Sequence, residues 1–250
     1  PATAPRSRRA PLWVVAEPGE IAALSRAFAE VPCLYVADGH HRTAAAVRHG
    51  QAVRARRGGQ GAAVPDDPDW EPHEFFMAVV FPHDQLQILD YNRVVKDLNG
   101  LSVEQFLARA GERFEVAPAD SARPGGPARF GMFLDGRWRR LTARPGTYPA
   151  GDPVRGLDVS ILQENLLAPI LGVADPRTDQ RIDFVGGIRG TAELEKRCRS
   201  GWAVAFALHP TSLDQLIRVA DAGEVMPPKS TWFEPKLRSG LTVRLLGDEE

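Results

Sequence analysis

The chain has 250 residues, enough for one large domain or two small ones and for a sizeable buried core. Its 31 Lys and Arg against 32 Asp and Glu give a formal charge of −1, which excludes the overall basic field of a protein that grips nucleic acid by bulk electrostatics. Two cysteines exclude a disulfide framework and fit a reducing cytoplasm, and no apolar run approaches the ~18 residues of a membrane span.

Residues 1–10 lack the apolar centre of a signal peptide and are expected to form a flexible tail ahead of a single domain over 11–250, with 145–157 the place where a subdivision would fall. The missing initial Met suggests a fragment of a longer protein. The first elements are a strand over 12–16 and a helix with Ile21, Leu24, Ala27 and Phe28 on one face. A strand over 33–37, packing Cys33 inside, leads to a helix over 39–49 closed by Gly50. The aperiodic stretch 51–72, rich in Arg, Gly, Asp and Pro, predicts a long loop, lid or insertion.

From 75 onward the pattern turns β. Strands are expected over 75–81 and 86–95, joined across 82–85, with Arg93 and Lys96 at the end of the second as minor site candidates or, as is usual there, exposed charges. Ser102-Val-Glu-Gln105 is a capping box, and Asp135-Gly136 between 130–134 and 137–141 is a two-residue hairpin signal. A helix follows over 158–167. Strands over 182–185 and 202–208 flank a helix from Thr191, an order that allows a local parallel pair. Thr211-Ser-Leu-Asp214 opens a helix stopped by Gly223, and a last strand covers 241–246. The strand order predicts an α+β fold with a mixed sheet and helices.

The densest chemistry is Tyr35-Val-Ala-Asp-Gly-His-His-Arg42, an apolar strand turning into a helix. A Gly turn and a helix N-terminus aim backbone N–H groups and the dipole at an anion, and Arg42 adds a fork of donors. Asp38 serves as an N-cap, as the acid that holds a metal or takes a substrate proton, or as both. His40 and His41 point about 100° apart on a helix and cannot chelate one metal together, so no protein metal site is expected. Cations in a first helical turn oppose the dipole, a cost that a bound anion would offset.

Phe184-Val-Gly-Gly-Ile-Arg-Gly-Thr191 matches neither the dinucleotide fingerprint nor a Walker loop, and a tight turn with Thr191 as N-cap accounts for it. Met226-Pro-Pro-Lys-Ser-Thr-Trp-Phe-Glu-Pro-Lys-Leu-Arg-Ser-Gly240 sets Lys229, Ser230 and Lys236 on a Pro-braced loop, suited either to gripping a phosphorylated ligand or simply to leading into the last strand.

These segments, with Tyr91-Asn-Arg-Val-Val-Lys-Asp97 and Asp183-Phe-Val-Gly-Gly187, resemble the bacterial and archaeal family called domain of unknown function 1015, over about residues 11–246 and in the C-terminal part of its longer members. The Asp-Gly-His-His-Arg element is also similar to the signature of ParB/sulfiredoxin-like proteins, which include free serine kinases and CTP-binding partition proteins. That resemblance implies phosphate binding by Gly39, His40, His41 and Arg42 in a strand-turn-helix element, with Asp38 as the nearby acid. Sulfiredoxin's reactive Cys is replaced by His here.

The expected function is a cytoplasmic nucleotide-binding, kinase-like enzyme that moves a phosphoryl group to or from a small hydroxyl metabolite such as free serine. Gly39, His41, Arg42, Ser230 and Lys236 would bind the nucleotide, ATP or ADP with Mg2+, and Asp38, His40 and Lys229 would act in catalysis. Direct nucleic-acid or membrane contact is not expected. A non-catalytic nucleotide switch of the partition-protein type and a metabolite-binding regulator without turnover stay open as alternatives.

Overall fold

A computed structural model describes residues 12–56, 72–236, 240 and 242–244. The backbone groups into two units, Pro1–Val36 and Ala37–Glu250. In the first, Pro at N1 opens helix α1 (Pro18–Ala29), which carries the expected apolar stripe but buries none of it. Neither 12–16 nor 33–37 is a strand: no ladder partner stands beside them among the described residues, and an unpaired extended segment keeps its side chains in solvent. Cys33 is therefore exposed, not packed.

The second unit begins with helix α2 (His40–Arg56), which runs through Gly50 instead of stopping there. A Cβ on Gly50 would lie 2.8 Å from the His73 carbonyl oxygen, so this glycine admits the backbone of the 3₁₀ turn Pro72–Glu74. Arg54 pairs with Glu74 across the same contact. Of the expected loop, 51–56 is thus helical and 57–71 lies outside the described residues. The stretch 75–81 forms no strand, and 86–95 is broken at Asp90 into β1 (Gln87–Leu89) and β2 (Tyr91–Val95).

Ser102 and Gln105 cap each other as expected at the start of α3 (Val103–Arg113), whose chain passes directly into β3 (Phe114–Pro118), a strand with no turn signal ahead of it. Strands β4 (Arg129–Leu134) and β5 (Arg137–Ala143) form the expected hairpin, with Asp135 at φ 50° and Gly136 at φ 71°. Those two left-handed residues match the strand twist, which is why Asp-Gly is favoured there. Asp158–Leu162 is helical (α4) and continues as a π-helical turn over Gln163–Leu167. Strands β6 (Ile182–Gly186) and β7 (Val204–Ala207) flank α5 (Ala192–Arg199); Ser212, not Thr211, caps α6 (Leu213–Asp221). Thr191 precedes α5 with no side-chain cap bond.

The fold is α+β. Six strands run in the order β3-β5-β4-β7-β2-β6, and β1 pairs with β8 (Trp232–Glu234) in a separate two-stranded sheet. Every ladder is antiparallel. The expected parallel pair of β6 and β7 does not form, because β2 inserts between them and bonds to both. Most of the expected strand 241–246 lies outside the described residues.

Both faces of the large sheet are covered, so its central strands β2 and β7 are buried without alternation, and β2 carries Asn92 and Arg93 into the interior. Val95 and Phe206 belong to the main core with Phe106 of α3 and Ile161 of α4; Val94 and Ala205 face a smaller cluster around Leu194 of α5. Phe114 and Phe130 meet edge to face at 5.8 Å inside the main core. Each such ring contributes about 2–3 kcal/mol by leaving water.

One polar group sits in that apolar setting. Asp158 accepts the Ala128 N–H at 2.8 Å and the His209 N–H, while its Oδ2 has no partner among the described residues. Burial raises its pKa to about 7, against the two bonds that favour the carboxylate. The folded chain therefore holds a proton that the unfolded chain has released. This contribution to stability is complete below the unfolded value of 3.8 and disappears as pH rises to about 7. Asp158→Asn should flatten the stability–pH curve between those limits, where one such proton imposes a slope of about 1.4 kcal/mol per pH unit. Urea melts of both proteins at stepped pH measure it; parallel curves would show that Asp158 does not titrate there.

Candidate active site

Within the second unit, the Asp38–Arg42 turn, Asp90 and Tyr91, Gly186 and Gly187, and Lys229–Lys236 come together. Gly39 takes φ +85°, a left-handed turn that suits glycine, and stands directly before His40, the first residue of α2. Asp38 is thus one position outside the N-cap. Its Oδ1 accepts the Gly39 N–H at 2.8 Å instead of capping deeper in the helix. The Arg42 guanidinium folds back over the turn: a Cβ on Gly39 would stand 3.3 Å from one of its terminal nitrogens. His40, His41 and Arg42 are exposed, and the first turn of α2 contains no acid.

Asp38 reaches the C-terminal segment. Lys236 Nζ donates to Asp38 Oδ2 at 3.1 Å, with both side chains about half exposed. Partial burial pushes the Asp38 carboxyl up, but the bonds from Lys236 and Gly39 and the fields of Lys236 and Arg42 outweigh it and leave the carboxyl below its ordinary range. Asp38 is therefore ionised near neutrality: a good acceptor and a poor proton acceptor.

Two aromatic rings carry the lysines. Lys236 Nζ lies 5.5 Å from the Trp232 ring centre and Lys229 Nζ 5.6 Å from that of Tyr91. The two rings touch edge to face at 5.4 Å. Glu234 fixes this arrangement by accepting from the Trp232 indole N–H at 2.8 Å and from the Lys236 backbone N–H at 3.2 Å. Trp232 in turn lies flat on β6, since a Cβ on Gly186 would come within 2.5 Å of its ring. Gly187 serves the neighbouring contact: its N–H donates to the Asp90 carbonyl at 2.8 Å, and a Cβ there would collide with the Asp90 carboxylate. The double glycine is a seat for Trp232 and Asp90.

Sequence-predicted site residues divide accordingly. Asp38, Gly39, Arg42 and Lys236 come together, and Lys229 joins them through the aromatic pair. Ser230 is turned inward: its hydroxyl donates to the Pro227 carbonyl at 2.5 Å and its own carbonyl accepts from Thr211. Arg93, expected as an exposed charge, is 4 % exposed. It donates to the carbonyls of Tyr91 and Lys229, the latter at 3.0 Å, and lies over Phe184. The signal was available: Tyr91, Arg93 and Val95 share one face of β2, and Val95 is core. Tyr91 and Trp232 gave no such signal, because only the pairing of β1 with β8 brings them together. Among the described residues no helix is long and apolar enough to cross a membrane.

A family model described as "Protein of unknown function (DUF1015)" matches residues 2–160. No curated protein matches the sequence. Among solved structures, free serine kinase in complex with AMP is similar at a TM-score of 0.41 and 14 % identity, over 88 % of this chain and 81 % of that one. A mutant of free serine kinase with AMP gives 0.38 and 14 %, over 60 % of this chain and only 55 % of that one. A conserved hypothetical protein from Pyrococcus furiosus gives 0.41 and 15 %, over 82 % and 72 %.

Replacing Gly186 by Ala should lift Trp232 and loosen the two-stranded sheet while leaving the distant hairpin β4–β5 intact. Amide hydrogen exchange should quicken at Gln87–Leu89 and Trp232–Glu234 alone; unchanged protection there would mean that the ring does not need the glycine.

Proposed function

The chain belongs to the DUF1015 family, and on that footing we propose that it binds a nucleotide by its phosphates at the Asp38–Arg42 turn and transfers a phosphoryl group to or from a small hydroxyl metabolite, free serine being the favoured one. The observation that carries this reading is the bond from Lys236 to Asp38, which sets a second mobile cation beside a Gly turn, a helix N-terminus and Arg42. Three positive features around a single exposed carboxylate favour a polyanionic ligand.

The roles follow from the chemistry. The N–H groups of the first turn of α2, His41 and Arg42 bind the phosphates, and Lys229 neutralises charge that develops on the transferred group. Lys236 moves from Asp38 to a phosphate oxygen when the nucleotide enters. Of the two candidate bases, His40 suits the work better, because Asp38 is held ionised below its ordinary range. Asp38 orients Lys236 and the turn. A single carboxylate already engaged by an ammonium fits Mg2+ only as a passenger on the nucleotide phosphates, with Asp38 as the protein oxygen available to it. Ser230 holds the loop in shape.

Thermal shift with ATP, ADP and CTP in the presence of magnesium tests the site. A nucleotide at a hundredfold excess over Kd should stabilise the protein by about 2.7 kcal/mol. Arg42→Ala should abolish the shift and Lys236→Ala weaken it, both without loss of fold, since these side chains are exposed. A serine-dependent conversion of the bound nucleotide then reports turnover. A nucleotide shift that survives Arg42→Ala would move the phosphates elsewhere, and no shift at all would end the proposal.

A further inference from the structure

A cavity of about 480 Å³ opens on the same side of the large sheet as Tyr91, bounded by β2, the α4 and π-helical segment, residues 174–177 and Pro227-Pro228. Its size suits a small organic molecule. Six of its lining residues are charged or polar: Arg93, Ser160, Gln163, Glu164, Asp175 and Arg177, of which Ser160 is committed to the Val154 carbonyl at 2.7 Å. Gln163 is committed, donating to the Val173 carbonyl at 2.7 Å. Arg177 pairs with Asp175 at 2.9 Å, and Glu164 pairs with Arg155 at 3.0 Å, so three of the four charges on the wall are already balanced.

Arg93 is not. It is the most buried of them, and among the described residues no carboxylate pairs with it. Two of its five N–H donors go to the carbonyls of Tyr91 and Lys229, which supply dipoles but no negative charge. Burial lowers its pKa to about 10, against a smaller opposing effect of Tyr91, the mark of a charge withdrawn from solvent. A buried cation of this kind is costly unless something brings it an anion.

We propose that the cavity beside Arg93 is a binding site for a small organic monocarboxylate. One uncompensated positive charge matches one negative charge. A planar carboxylate also fits the edge-on donors that a guanidinium keeps free. A phosphate dianion fits worse, because the wall offers one unbalanced positive charge, at Arg93, and nothing to meet a second negative one. The body of the ligand lies against Val159, Ala174 and the two prolines. The Lys229 carbonyl bonded to Arg93 joins this cavity to the loop of the nucleotide site, yet the proposal stands without nucleotide binding.

Calorimetric titration of the protein, with no nucleotide present, tests it with acetate, L-lactate and inorganic phosphate as ligands. Lactate should bind more tightly than acetate, and phosphate more weakly than either. Arg93→Lys, which keeps the charge but loses the fork, should weaken lactate by at least about tenfold. Ala174→Trp alters only an exposed residue at the rim, so it leaves the core alone, and should block lactate to the same degree; it decides the matter if the Arg93 variant does not fold. Absence of carboxylate binding at millimolar concentration, binding unchanged in Ala174→Trp, or phosphate binding tighter than lactate would each overturn the proposal. Loss of lactate binding with nucleotide shifts intact, or the reverse, separates the two sites.

Discussion

The insertion of β2 between β6 and β7 is the constraint on which the rest of the molecule depends. Hydrogen bonds on both edges fix the strand's register, and register decides which residues face which layer. Val94 is thereby committed to the cluster under α5, and Arg93 with Val95 to the side of α4. The same pairing sets Tyr91 opposite Gly186, next to the place where Trp232 lies. A one-residue slip would send Arg93 to the wrong face and empty the cavity of its charge.

Where the strand stops mattering to the large sheet, polar side chains take over. Asn92 accepts the Leu208 N–H at 2.9 Å and donates to the Asp90 carboxylate, while the Asp90 carbonyl accepts the Gly187 N–H, so the chain bends at Asp90 with both the Leu208 N–H and the Asp90 carbonyl paired. Beyond the bend, β1 collects β8 and with it the lysine-bearing segment. The two candidate sites differ in kind as a result. Around Asp38 the charges are solvated, individually weak and free to rearrange. Arg93 is dehydrated and held between two carbonyls, so it selects a ligand more by charge and shape than by adaptation.

What could be read from the chain in advance follows from how local each signal is. The capping box at Ser102, the Asp135-Gly136 turn and the class of the fold depend on neighbours a few residues apart, and they stand as written in the sequence. The stretches 33–37 and 75–81 have the right composition but pair with no strand among the described residues, and composition does not supply one. Gly50 looked like a stop because the approaching His73 carbonyl belongs to a remote segment. The glycine turn at Gly39 and the helix start beside Arg42 were legible from types and spacing alone. Its junction with Lys236, the burial of Arg93 and the seating of Trp232 on Gly186 are long-range facts of topology.

That topology also orders events in time. The β4–β5 hairpin closes over a two-residue turn, a contact that a nascent chain samples within microseconds. Strand β2, by contrast, waits for partners that lie across nearly half the chain, and must meet the entropy of those large loops before either ladder forms. Arg93, Tyr91 and the seat of Trp232 are therefore assembled among the last contacts to close. A chain stalled before that step would retain its local hairpin and capped helices while possessing neither the cavity beside Arg93 nor the cation cluster at Asp38.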